Sequence, residues 1–109
     1  MNEYILNLFK DFGTPVYYLQ YEGDQETYIT FQPTIHEGLY GDDGTDTIKQ
    51  EYDFDIFSKN NYKDIEKRLI KLLLENDFVR VMSGDSSEMY ETDTKYYHKT
   101  LCFERIVEE

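Results

Sequence analysis

Acidic and apolar residues alternate strictly along Glu51-Tyr52-Asp53-Phe54-Asp55-Ile56. A period of two places Tyr52, Phe54 and Ile56 on one face of a strand and Glu51, Asp53 and Asp55 on the other. The pattern predicts a strand over residues 47–57, with one buried face and one solvated acidic face. Ser58-Lys59-Asn60-Asn61 breaks it, and from Tyr62 the apolar period becomes helical through Ile65, Leu69, Leu72 and Leu73. Asn61 is the candidate N-cap, with Asp64 three residues on and Glu66 still in the first turn. A helix over residues 61–76 is expected.

The remaining segments read in the same way. Tyr4, Ile5, Leu8, Phe9 and Phe12 recur at helical spacing before Gly13, which predicts a short amphipathic helix over residues 2–12. Residues 16–21 follow Pro15 as an extended segment, Glu22-Gly23-Asp24-Gln25 has turn composition, and residues 27–32 are β-rich. The two extended segments read as a hairpin, with Pro33 at its end or on an edge. Residues 34–46 hold Gly38, Gly41 and Gly44 among Asp42, Asp43 and Asp46, and read as a long flexible loop. A short strand over residues 78–82, a second acidic loop over 83–93 and a final strand over 94–107 complete the chain. The final strand carries Tyr97, Leu101 and Phe103 on one face. The order α-β-β-β-α-β-β predicts an α+β fold, two helices packed on one face of a mainly antiparallel sheet of four to five strands. At 109 residues, the whole of 1–109 is read as a single domain.

Composition sharpens this outline. The chain has 11 Tyr, 7 Phe and no Trp. Tyr joins a large apolar body to a polar tip, which suits both strands and interfaces. The net charge of −12 argues against a simple nucleic-acid binder, which needs basic surface, and against docking on an anionic membrane. Residues 36–55 carry Glu37, Asp42, Asp43, Asp46, Glu51, Asp53 and Asp55 against Lys49, a net of −6. Residues 84–93 carry Asp85, Glu88, Glu91 and Asp93 with no base, a net of −4. The acidic excess thus belongs to two loops and one strand face, whereas the helix at 61–76 carries Lys63, Lys67, Arg68 and Lys71.

The chain shows little sign of catalytic chemistry. Asp42, Asp43 and Asp46 lack the ligand spacing of a calcium loop. His36 and His98 lie in separate elements, and one cysteine gives no zinc-ligand spacing. His98 reads as an exposed or hydrogen-bonded strand histidine. Cys102 sits in an apolar strand without an activating base, and having no partner for an internal disulfide it fits a reduced cytoplasmic setting. Ser58, Ser86 and Ser87 lack a nucleophile-elbow context, and no glycine-rich loop opens a helix. No apolar run approaches the roughly 20 residues that span a bilayer, and no secretion signal is visible. Neither enzymatic activity nor a cofactor nor a metal is expected.

Four short motifs together carry a resemblance over nearly the whole chain. They are Gly13-Thr14-Pro15-Val16 after the first helix, Tyr28-Ile29-Thr30-Phe31, Asp53-Phe54-Asp55-Ile56-Phe57-Ser58-Lys59 with Tyr62, and Asp93-Thr94-Lys95-Tyr96-Tyr97-His98-Lys99 before Leu101 and Phe103. In this order and at this length the chain resembles the small tail completion (tail terminator) proteins of long-tailed phages and prophages of Gram-positive bacteria. The resemblance implies a structural virion protein, assembled in the bacterial cytoplasm and resident in the tail. It implies a self-assembled ring, usually six-fold, that meets the major tail tube protein on one side and the head–tail connector on the other. Such a ring ends tube growth, offers the docking surface for the filled head and lets DNA pass. Under that reading Asp42, Asp43 and Asp46 are candidate channel-facing acids whose like charge keeps DNA from adhering. Lys63, Lys67, Arg68 and Lys71 are a candidate subunit interface toward a neighbour's acidic loop, since ring closure joins two different patches. Otherwise they run along a solvated helix face. Two other functions fit the charge and size: an acidic DNA mimic that inhibits a host DNA-binding enzyme, and a head–tail adaptor nearer the portal.

Overall fold

Burial along the central strand alternates as its sequence predicts. In the computed structural model, which describes residues 2–19, 23, 25–34 and 47–108, that strand is β3 (Thr47–Ser58). Tyr52, Phe54, Ile56 and Ser58 are buried, while Glu51, Asp53, Asp55 and Phe57 are half-buried. The acidic face is therefore less solvated than the alternation alone implies. Around β3 the order is α1 (Asn2–Leu8), β1 (Val16–Tyr18), β2 (Thr27–Pro33), β3, α2 (Lys63–Glu75), β4 (Val79–Arg80), β5 (Met89–Glu91) and β6 (Tyr96–Glu108). The strands form one mixed sheet in the order β1-β2-β3-β6-β4, with β5 also paired to β6. The α+β class and the two helices follow the sequence reading. Asp42, Asp43, Asp46 and His36 lie outside the described residues.

The expected hairpin at residues 16–32 is corrected. β1 pairs with β2 in parallel, Val16 opposite Ile29 and Tyr18 opposite Phe31. The chain leaves β1 through Leu19, whose φ of 72° is left-handed. The Leu19 N–H donates to the Phe31 carbonyl at 2.8 Å, and the Ile29 N–H to that of Pro15 at 2.9 Å. Alternating apolar residues specify which face of a strand is buried but not its direction, so the pattern fitted both pairings. A second correction falls in the expected loop at 83–93, part of which is β5. Tyr90 lies opposite Tyr97, with ring centroids 4.9 Å apart. Three residues are too few for a period to show. The strand expected at 78–82 shrinks to β4, followed by a 3₁₀ turn, Met82–Gly84.

Local chemistry sets the helix ends. α1 stops at Leu8, short of the expected residue 12. The chain then tightens, with the Phe12 N–H donating to Phe9 O at 3.0 Å before Gly13 at φ 93°. α2 starts at Lys63 rather than Asn61, and the Asn61 Oδ1 accepts the Lys63 N–H at 2.9 Å. At its other end Asp77 adopts φ 69°, and the Phe78 N–H reaches back to Leu73 O at 3.0 Å. That is a Schellman closure, with buried Leu73 and Phe78 as its apolar pair. Ile5 and Phe9 from the α1 end and Leu69 and Leu73 from α2 join one core with Ile29, Phe31, Phe54, Ile56, Leu101 and Phe103. Both helices thus cover the same face of the sheet.

Candidate functional site

The face of the sheet turned away from the helices gathers most of the chemistry-bearing side chains. Its composition follows from register. β2 sets Tyr28, Thr30 and Gln32 opposite Phe57, Asp55 and Asp53 of β3. β6 sets His98, Thr100 and Cys102 opposite the same three. Tyr28, Phe57 and His98 therefore form a row across three strands. Tyr28 stacks on Phe57 at 4.9 Å and Phe57 on His98 at 4.2 Å, both nearly parallel. Met89 of β5 extends the row beyond His98.

Asp55 is the centre of the next row. Its Oδ2 accepts Gln32 Nε2 at 2.8 Å, and its Oδ1 meets His98 Nε2 at 2.9 Å and accepts the Thr100 hydroxyl. Burial alone pushes the Asp55 carboxyl up. The hydrogen bonds from His98, Thr100 and Gln32, with the charge of His98, outweigh it and hold the group below the usual carboxylate range. Asp53 accepts the Thr34 hydroxyl at 2.9 Å. The Thr34 hydroxyl also lies 3.6 Å from Cys102 Sγ. Cys102 is fully buried, and burial pushes its thiol up to about 12. The Thr34 contact opposes that rise, while the carboxylates of Glu51 and Asp53 add to it. Asp55 and His98 have the orientation of an acid–base pair. Yet the hydroxyl at hand, Thr100, donates to Asp55 itself, and the Cys102 thiol stays protonated at neutral pH. The geometry ties β2, β3 and β6 together. Among the described residues no group of three or more His, Cys, Asp or Glu side chains is placed to hold a metal ion.

The acids of residues 84–93 are drawn into the fold at two points. Asp85 pairs with Arg80 at 2.7 Å and accepts the Cys102 N–H at 3.0 Å, so it closes the edge of β6. Glu88 accepts the Tyr62 hydroxyl at the start of α2. Burial first, and the Glu88 carboxylate second, raise the Tyr62 phenol. Glu91 and Asp93 remain exposed.

The four basic residues of α2 divide. The Arg68 guanidinium lies 4.4 Å from the Phe12 ring centre and donates to the Phe12 carbonyl, so it clamps α2 to the turn after α1. Lys63, Lys67 and Lys71 are exposed. Among the described residues no carboxylate pairs with these three. Lys99 of β6 instead reaches Glu66 at 2.9 Å, an ion pair without hydrogen-bond geometry that joins α2 to the sheet.

The Asp55 cluster was not legible as a cluster. Asp55 was visible as an acid on a strand face, and His98 as a strand histidine, but they are 43 residues apart and only the β3–β6 register brings them together. No protein-family model matches the chain, and a search of curated proteins finds no match.

Proposed function

We propose that this chain is a tail-completion subunit that caps a phage tail tube as part of a ring, ends tube growth and offers the docking surface for the head connector. The observation that carries the reading is a division of labour among the described residues. The reactive groups on the sheet face engage one another, while large apolar side chains are left to solvent where β4, the 3₁₀ turn and β5 line one border of the sheet. Val79, Met82, Met89 and Tyr90 are all exposed there. Exposed apolar side chains set along one border of the sheet in this way support a surface that binds other protein. The acidic-mimic reading has less behind it, because Asp53, Asp55 and Asp85 are held by internal hydrogen bonds and cannot imitate a row of solvated phosphates.

The test is electron microscopy of a lysate made without this gene. Unjoined heads beside tails of uncontrolled length support the reading. Tails of normal length beside unjoined heads move the protein to the adaptor layer. Intact virions overturn both.

A further inference from the structure

We propose that the lysine stripe of α2 on one copy docks on the open face of the sheet of a second copy, around Val79, Met82 and Met89, so that copies join back to face. The choice of a second copy as occupant rests on the assembly role proposed above. The pairing itself stands on exposure and charge.

Successive residues of an α-helix turn by about 100°. Lys63, Lys67, Lys71 and Leu74 therefore fall within about 80° of one another, centred about 140° round the helix from the buried Leu69 and Leu73. This stripe faces away from the buried side of α2. It is basic and ends in a leucine that is 51% exposed. Asp64 and Glu75 flank it on the Arg68 side. The receiving surface lies on the other layer. Val79 is opposite Glu104 in the register and Met89 opposite His98, so both share the face that the helices leave open. The 3₁₀ turn of Met82 backs onto the same face through Gly84 and Cys102. Val79, Met82 and Met89 are 57, 69 and 45% exposed.

The charge around these three apolar groups is negative. Glu91, opposite Tyr96, and Asp93 in the turn that follows are exposed carboxylates at the Met89 end. Two copies meeting by their acidic faces repel. The lysine stripe is the surface of this same chain that such a face attracts, and Leu74 gives the apolar group a counterpart. The two surfaces look in opposite directions, so one neighbour cannot satisfy both, and the association is heterologous rather than two-fold.

Cysteine cross-linking reads this directly. Lys67→Cys on the stripe and Met89→Cys on the sheet face both place a thiol at an exposed position, whereas Cys102 is buried and its thiol is pushed up to about 12, which keeps it out of the reaction. A mixture of the two single variants should give a mixed dimer, each variant alone should give none, and the double variant should give a ladder. In the Lys67→Cys chain, Lys63→Glu with Lys71→Glu should lower the mixed-dimer yield roughly tenfold, and Glu91→Lys on the receiving copy should restore part of it. A dimer formed by Lys67→Cys alone, or no mixed dimer in concentrated protein, overturns the pairing. A mixed dimer from a chain whose deletion leaves virions intact keeps the pairing and removes the tail role. Tail defects without a mixed dimer do the reverse.

Discussion

Asp55 shows how one residue can be read correctly in direction and wrongly in environment. Its place opposite Phe54 and Ile56 follows from alternation alone. Its three side-chain donors come from other strands, and they make it a structural tie rather than a solvated charge. Because its folded carboxyl is held below the ordinary value, its stabilisation is complete above about pH 3.9 and disappears as pH falls through the lower folded value. Thermal unfolding followed from neutral to strongly acid pH should show the melting temperature dropping below about pH 4. Asp55→Asn should start from a lower melting temperature and fall less steeply. The same pH profile in both proteins would mean that the network does not set the acid limit. Gly84 makes a second point at this scale. A Cβ built there meets Cys102 Cβ at 2.7 Å and Sγ at 3.0 Å. Gly84→Ala should cost about 1–3 kcal/mol in denaturant unfolding by overpacking. Cys102→Ala should give little relief, since the nearer clash is with the Cβ that alanine keeps.

At the scale of elements, α2 carries both a structural and an assembly face, and the two can be separated by mutation. Arg68 stacks on Phe12 and donates to its carbonyl, whereas Lys67, exposed about 100° round the helix from it, makes no such contact with the turn after α1. Arg68→Ala should lower stability by roughly 1–2 kcal/mol through the lost ring contact and hydrogen bond. Lys67→Ala should stay within about 0.5 kcal/mol of the parent and act only on association. Equal effects of the two on unfolding would refute this division. The four basic residues were readable in sequence as one helical group. That Arg68 belongs to the fold and the lysines to the surface was not readable, because the turn that receives Arg68 lies 56 residues away. β5 was missed for a related reason: it gains its definition from pairing with β6 and from the Tyr90–Tyr97 contact, not from its own three residues.

Among the described residues the molecule is two-layered, with helices over one face of the sheet and a polar and aromatic face turned away from them. Among the described residues, Val79, Met82, Met89 and Tyr90 are exposed along the β4–β5 border, and Lys63, Lys67 and Lys71 are exposed on α2. At this scale the deletion and cross-linking experiments decide between a subunit of an assembly and a chain that acts alone. The sequence by itself determined the class of the fold, the central strand and its buried face, both helices and the uneven spread of charge. Each of these depends on neighbours within a few residues, through periodicity, capping and local sterics. Only the tertiary structure decided the parallel direction of β1, the presence of β5, the Asp55–His98–Thr100 cluster and the separate duty of Arg68. Each of these depends on which distant segment pairs with which, and a period of two or of 3.6 carries no information about strand direction or cross-strand register.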